Sequence, residues 1–450
     1  MFHNRGPCRP AELASELGNP SRATFSRWVH AAAGEILSYG QKRTGVYYAA
    51  TRKVAELGAR WPVYAVSGTG IPQSVGDLWA IAPRGFVFVP ATQLPPWFSG
   101  EGGRGYHARL PFYLADALPQ GYLGRLVARH LHTRIGVPER LTDWQESHQL
   151  TALLHAGEDT PGNLLVGTVA HEQLMQRRLT DSPTVVGSDV ALTYEALAQA
   201  ALAGEPPGSS AAGEQPKFTA QIRSHADSRH VLVKFSPQRT TAVGQRWADL
   251  LLCEHVAHEV VREAGIPTVQ SRIIEGPTRR FLEVLRFDRV GRLGRRAALS
   301  LFSVDAEFFG ALDTWPAAAQ RLCERGWLAH EDVERVRLLW LFSGCIGNSD
   351  RHFGNVTLLD TGNQLTLAPM YDVLPMLHAP QGNELVPRTF SVMVPPPGEA
   401  MLWQQAARLA QTYWERIIAD PRLSDSFRSL AQAAQTALAD ALTRCGSAPI

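Results

Sequence analysis

Asp350 and Asn355 stand five positions apart in Gly347-Asn348-Ser349-Asp350-Arg351-His352-Phe353-Gly354-Asn355, between an apolar helical run over 334–346 and an apolar strand over 356–359. Packing does not call for such a polar cluster there. An aspartate followed at this spacing by an asparagine has the pattern of a phosphoryl-transfer loop, in which the carboxylate accepts the attacking hydroxyl's proton and the asparagine holds Mg²⁺. A second strand over 364–370 delivers Tyr371-Asp372, seventeen residues after Asn355. A hairpin of this length brings Asp372 beside Asn355, where the two can share a metal with nucleotide phosphates, and hard oxygen donors suit Mg²⁺ or Mn²⁺. His352 either orients Asp350, lines the site or makes a purely structural bond. Arg351 pairs with Asp350 or with a phosphate.

Lys234 lies in the apolar strand His230-Val231-Leu232-Val233-Lys234-Phe235, where an ammonium needs a charged partner or a ligand. Glu254 falls on the same stripe as Leu250, Ala257 and Val261 of the following helix. A strand lysine neutralised by a helix glutamate is the pair that positions nucleotide phosphates in kinases. Weighed alone, the two residues fit a structural ion pair equally well. Ahead of them, the glycine- and serine-rich run over 203–217 contains Ser210-Ala211-Ala212-Gly213 and feeds two strands, so its backbone N–H groups can face phosphate oxygens. No Walker A or GxGxxG pattern is present.

These residues must be held by a sizeable folded body. The chain has 450 residues, 45% hydrophobic and 19% charged, with 38 Gly and 30 Pro. Such values exclude a disordered, collagen-like or disulfide-framework protein and predict roughly two to four domains. The five cysteines (Cys8, Cys253, Cys323, Cys345, Cys445) form no CxxC pair and read as core thiols of a reducing compartment. The start lacks the apolar stretch of a secretory signal, and no window approaches the ~18 apolar residues of a membrane span. A soluble, cytoplasmic protein with no membrane partner is expected.

Net charge is +2, but residues 1–60 hold nine Lys/Arg against four Asp/Glu. Basic charge gathered at one end suits a polyanion there. Pro10 opens a short helical pattern, Gly18-Asn19-Pro20 breaks it, and Ser21 caps a second helix. Two such helices make a helix-turn-helix, placing Ser21, Arg22, Thr24, Ser26 and Arg27 near bases and phosphates of DNA. The β-prone runs over 35–48 flank a basic tip and predict a hairpin wing whose Lys42 and Arg43 reach phosphate. Protein contacts alone are the alternative use of such a module. The expected class is α+β: a winged helix-turn-helix over 1–60, a small β-rich domain over 61–200, and a bilobal kinase-like core over 201–450 with a helical C-terminal lobe. A helical stretch over 121–129 follows the β-prone runs of the middle region, and the run over 157–167 reads as a ligand loop or, more simply, as a turn entering a buried strand.

In order, Ser210 to Lys217, Val233-Lys234, Cys253-Glu254, Arg286-Phe287-Asp288-Arg289, Asn348 to Asn355 and Met370-Tyr371-Asp372 resemble the motifs of HipA-like bacterial toxin kinases. The resemblance runs from about Trp61 to the C-terminus, and the module in front makes the chain similar to the YjjJ-type branch. It implies an ATP- and Mg²⁺-dependent protein serine/threonine kinase whose phosphorylation of a host protein, with translation-related proteins among the options, arrests growth. It implies Asp350 as base, Asn355 and Asp372 as metal ligands, and Lys234 as a phosphate contact. Glu254, Arg286 and Phe287 join the nucleotide site, the loop around Gly213 covers the triphosphate, and Ser210 takes the place of an inhibitory autophosphorylation serine. Pro216 and Leu285 stand where the family has glutamates, a departure that bears on adenine contacts. Family toxins pair with a separate DNA-binding antitoxin, whereas here a DNA-binding module stands on the same chain, placed to autoregulate. Other classes stay open: a small-molecule kinase of the aminoglycoside type, a DNA-bound regulator sensing nucleotide without turnover, and a metal-dependent DNA-cleaving toxin.

Overall fold

The computed structural model describes residues 6–41, 45–179, 184–185, 189–204, 215–223 and 228–446. Pro10–Glu16 (α1) begins on its proline and ends at Gly18 and Asn19, which take left-handed backbone at φ 80° and 52°. Ser21 Oγ accepts from the Thr24 N–H at 3.2 Å and starts Arg22–Ala31 (α2). Ile36–Gln41 (β1) and Gly45–Ala50 (β2) then pair antiparallel. Helix, turn, helix and hairpin thus follow in the expected order. The hairpin is docked, because Leu37, Tyr39 and Ala49 share an apolar cluster with Ile81 and Val87 of the next unit, and Arg104 sits 4.6 Å over the Tyr47 ring.

The middle unit is an antiparallel sheet of Arg60–Val66 (β3), Pro72–Ala80 (β4), Phe86–Pro90 (β5), Tyr106–His107 (β6) and Leu164–Val166 (β7), in the order β6-β5-β4-β3-β7. Helices Phe112–Ala115 (α3), Gly121–Ile135 (α4), Glu146–Ala156 (α5) and Thr168–Leu179 (α6) accompany it, so helix is as prominent here as strand. Residues 157–163 do form a turn entering β7.

Thr184–Val185 (β8), Lys217–Arg223 (β9), Ser228–Phe235 (β10), Ser271–Glu275 (β11) and Arg280–Leu285 (β12) make the second sheet, ordered β11-β12-β10-β9-β8. Val190–Leu202 (α7) packs Tyr194, Ala198 and Ala201 on Phe218, Val233 and Phe281 of this sheet, so β8 and α7 belong with it although they precede residue 201. Ala242–Glu263 (α8), capped by Thr241 Oγ1 on the Gly244 N–H at 3.0 Å, lies against it with Leu250 through Glu254 all buried.

A hairpin of Arg289–Val290 (β13) and Gly294–Arg295 (β14) leads to a three-stranded sheet of Ala298–Ser300 (β15), Thr357–Asp360 (β16) and Leu365–Leu367 (β17). The lobe's helices are Leu301–Phe308 (α9), Trp315–Glu324 (α10), His330–Cys345 (α11), Ala400–Ala419 (α12) and Asp425–Gly446 (α13), with a largely irregular segment over 368–399 between β17 and α12. One apolar core joins α8, α11, α12 and α13 through Leu250, Phe342, Trp403, Trp414 and Phe427. Another runs from Phe86, Trp97 and Phe112 of the middle unit to Val304, Trp315, Phe353 and Leu358, so the middle unit and the flanks of the Asp350 loop share one interior. Cys8, Cys253 and Cys345 are buried and Cys323 and Cys445 half-buried, all as free thiols. Among the described residues no helix is long and apolar enough to cross a membrane.

Candidate active site

A cavity of about 440 Å³ opens between the second sheet and the helical lobe. Leu232, Val269, Val284, Leu285 and Phe287 form its apolar wall, and Lys217, Lys234, Glu254, Asp288, His352, Asn355 and Asp372 are among its polar residues. This size and mixture suit a small molecule with a flat apolar part and a charged tail.

Lys234 reaches the cavity from β10, between Lys217 of β9 and Leu282 of β12. Its side chain is 3% exposed, and Nζ donates to Glu254 Oε1 at 2.7 Å and Oε2 at 2.8 Å. It also donates to Asp372 Oδ1. The backbone N–H of Asp372 donates to Glu254 Oε1 at 3.3 Å, tying the three residues together. Burial opposes the Lys234 charge, but Asp372 and Glu254 outweigh it and hold the ammonium above its ordinary pKa. Asp372 is raised by burial and pulled further the other way by Lys234 and Lys217, ending below the usual carboxylate range. Burial raises Glu254 despite Lys234. Glu254 and Asp372 both bond the Lys234 ammonium, and Lys217 adds a second positive charge acting on Asp372. Asp372 holds a left-handed φ of 56°, strained backbone for a residue with a Cβ and characteristic of a functional position.

The Asp350 loop leaves α11 at Gly347, whose φ of 77° and a Phe390 ring atom 3.1 Å from where a Cβ would stand restrict the position to glycine. Asn348 Oδ1 accepts from the Asp350 N–H at 3.0 Å, and the Trp315 indole donates to the His352 carbonyl at 3.1 Å. Asn355 is buried and its Nδ2 donates to the Asp350 carbonyl at 2.8 Å, which leaves Oδ1 as its oxygen donor. Asp350 itself is exposed and does not line the cavity; it stands on the solvent side of the same loop. His352 lines the cavity, and its Nδ1 accepts from the Gly354 N–H at 3.0 Å, so it braces the turn and makes no bond to Asp350.

Of the expected site residues, the cavity gathers Lys234, Glu254, Arg286, Phe287, His352, Asn355 and Asp372. Arg286 is bound by Asp288 at 2.9 and 2.8 Å, and Phe287 lies 5.8 Å from the Tyr371 ring. Arg351 is corrected: it neither pairs with Asp350 nor faces the cavity, but stacks 4.0 Å over Trp340, because the helix end offers an aromatic face for its guanidinium. Ser210, Ala211, Ala212, Gly213, Lys42 and Arg43 lie outside the described residues. On α2, Ser21, Arg22, Ser26 and Arg27 are exposed, and the half-buried Thr24 bonds Ser21 Oγ at 2.9 Å.

Lys217, Asp288 and Tyr371, which the sequence offered only as motif members, and Asp116, which it did not offer, also line the cavity. Lys217 stands directly across the ladder from Lys234, a pairing that emerges only once the two strands are in register. Asp288 is fixed by Arg286, by Arg289 at 2.7 Å and by the Gly162 N–H at 3.2 Å, and Arg289 continues to Asp159 at 3.0 Å. That network fastens the middle unit to the cavity wall.

Among the described residues no three His, Cys, Asp or Glu side chains gather as a metal centre. Mg²⁺ does not need such a cage, since it is held by one or two protein oxygens together with substrate phosphates and water. The oxygen donors of Asp372 and Asn355 fit a metal of that kind.

Residues 57–175 match the family model for the YjjJ-like toxin middle domain, and residues 209–442 match that for the HipA-like C-terminal domain. Toxin YjjJ of Escherichia coli (strain K12) is 37% identical over 437 residues, covering 95% of this chain and 94% of that protein. The HipA of Shewanella oneidensis MR-1, solved with HipB and operator DNA, is similar in fold at TM-score 0.53 and 16% identity, over 86% of this chain and 96% of that one. The chain belongs to the HipA-like toxins, in their YjjJ-like branch.

Proposed function

We propose that this toxin is an ATP- and Mg²⁺-dependent protein serine/threonine kinase that arrests growth by phosphorylating a host protein. The observation that carries the reading is Lys234 held by Glu254 and Asp372 in a cavity that Asn355 also lines, with Asp350 exposed on the loop beside it. The apolar wall takes the base, and Lys234 and Lys217 stand where phosphate charge accumulates. Asp372 and Asn355 would hold Mg²⁺, which neutralises developing charge on the transferred group. Asp350 orients the incoming hydroxyl and takes its proton, a task that requires a carboxylate open to a protein acceptor. The Asn355 amide, bonded to the Asp350 carbonyl, keeps base and metal ligand in one register.

A division into 1–60, a middle unit, and a core that already begins with β8 and α7 rather than at residue 201 belongs to this reading, as does DNA binding by the exposed face of α2 with the wing at Lys42 and Arg43. The HipA complex containing HipB and operator DNA supports DNA and antitoxin partners of that kind. A module docked on the middle unit serves autoregulation in cis, and the loop from Ser210 to Gly213, with Ser210 as its modified residue, covers the nucleotide.

Purified chain, labelled ATP and bacterial lysate test the activity. Label enters protein bands with the wild type and does not with Asp350→Ala or Asp372→Ala, which fold normally and no longer arrest growth. Label confined to small molecules, or toxicity undiminished in both variants, rejects the protein-kinase reading.

A further inference from the structure

The middle unit contributes a carboxylate to the cavity. Asp116, at the end of α3, lines it together with Leu118 and Gln120. Its Oδ2 accepts from the Ser300 N–H at 2.7 Å, and its Oδ1 accepts from the Ser300 and Ser303 hydroxyls at 2.7 and 2.6 Å. Ser300 is the N-cap of α9, its hydroxyl accepting from the Ser303 N–H at 3.0 Å. A carboxylate 184 residues away in sequence therefore completes the start of a helix in another unit. Burial raises the Asp116 pKa and the three donors oppose it.

Ser300 lies opposite Thr357 in the β15–β16 ladder, and the next residue, Leu301, donates its N–H to the Val356 carbonyl at 2.8 Å. Val356 directly follows Asn355. Thr357 Oγ1 is 2.7 Å from the Tyr371 hydroxyl, which donates to the Gly354 carbonyl at 2.9 Å, just before Asp372. The chain segment that Asp116 grips is thus bonded to Val356 and to the strand that follows Asn355, and that strand is bonded to the residue preceding Asp372.

We propose that Asp116 is a positioning residue for phosphoryl transfer: from the middle unit it fixes the β15–α9 junction and, through β16, the placement of Asn355 and Asp372. The proposal rests on the kinase reading above for its catalytic readout and on hydrogen bonding alone for its structural one. The middle unit is then part of the catalytic apparatus, and a displacement of that unit loosens the metal ligands while the nucleotide wall of Leu232, Val269 and Val284 stays in place.

The test uses the full chain with Asp116→Ala, Asp116→Asn and Ser303→Ala. An asparagine oxygen can take the Ser300 N–H while the two hydroxyls reverse and accept from its amide, so Asn preserves the grip and Ala abolishes it. Asp116→Ala is expected to lower kcat about tenfold to a hundredfold with the KM for ATP changed less than about threefold, since small misplacement of reacting groups is costly. Asp116→Asn restores most of the rate, and Ser303→Ala loses about two- to fivefold. Amide exchange over 299–301 and 356–358, measured without nucleotide, rises in Asp116→Ala and not in Asp116→Asn. Wild-type kcat and exchange in Asp116→Ala, or an equal loss of rate in the Ala and Asn variants that follows their melting temperatures, overturns the proposal. If Asp116→Ala does not fold, Ser303→Ala and Asp116→Asn decide it by rate and exchange. Absence of transfer by the wild type refutes the kinase reading instead, and the exchange comparison still decides whether Asp116 holds β16.

Discussion

Replacing Lys234 by methionine removes a cation that contacts both Glu254 and Asp372. Methionine has nearly the same volume, so the packing of β10 on α8 is kept and the effect is electrostatic. Glu254 is fully buried and Lys234 is 3% exposed, so the loss is that of one partner of a buried pair, about 3–5 kcal/mol. At roughly 2–4 °C per kcal/mol for a unit of this size, the core melts about 6–20 °C lower. The pH dependence carries a sign. In the variant Glu254 faces Asp372 with no ammonium between them, and its pKa in the folded state, already raised by burial, rises further. A carboxyl raised in this way contributes stability that is fully present below its unfolded pKa and lost as pH rises through the folded one. The deficit relative to wild type is therefore largest near pH 8 and shrinks toward pH 5, by up to about 1.4 kcal/mol per pH unit for one proton. His258, fully buried on the same helix with Nε2 3.8 Å from Glu254, is held neutral by burial and by Lys234. Its protonation on acidification destabilises both proteins, less in the variant where it becomes a counter-ion for Glu254, which acts in the same direction. Calorimetry of both proteins at pH 8 and pH 5.5 reads the effect. Equal melting at pH 8, or a deficit that grows on acidification, refutes this account of the pair.

Three further outcomes follow from the geometry. With a thiol reagent at pH 8, only Cys323 and Cys445 react in the native protein, because Cys8, Cys253 and Cys345 are buried and burial pushes Cys345 up to about 12; rapid modification of a third thiol contradicts this. Arg22→Ala combined with Arg27→Ala reduces the salt dependence of DNA binding by roughly 0.9 in log–log slope per lost phosphate contact, and an unchanged slope means that α2 does not face the backbone of DNA. Arg351→Ala lowers stability by about 0.5–2 kcal/mol through the lost stacking on Trp340 while phosphate transfer is retained; loss of transfer in a stably folded variant would return Arg351 to the site.

The residues that sequence reasoning located were those whose partners lie within one helix, hairpin or loop. Glu254 was legible because helical periodicity put a carboxylate on an apolar stripe, and Asp372 because the strand after Asn355 has only one way to turn back. The two short helices were legible from Pro10, Gly18 and Ser21, and the β1–β2 pair from the β-prone runs over 35–48. Asp116 was not, since nothing near it in the chain announces that Ser300 and Ser303 will meet it from another unit. Arg351 was misread because charge type does not reveal direction, and a tryptophan eleven residues earlier claimed it. The expectation for Arg286 omitted its anchor, Asp288, although that residue stands in the same motif. In the middle unit the stretch over 121–129 was legible as α4, but α3, α5 and α6 were not, because β-prone runs dominate the pattern up to Gly85–Val89.

Titration of ATP into the full chain with and without Mg²⁺, repeated with Asp372→Asn, tests most directly whether this cavity is a metal-assisted nucleotide site. Wild-type affinity should rise on adding Mg²⁺, and that gain should vanish in Asp372→Asn while the metal-free affinity is kept. Binding indifferent to Mg²⁺, or a gain of equal size in the variant, would contradict the placement of the metal on Asp372 and Asn355.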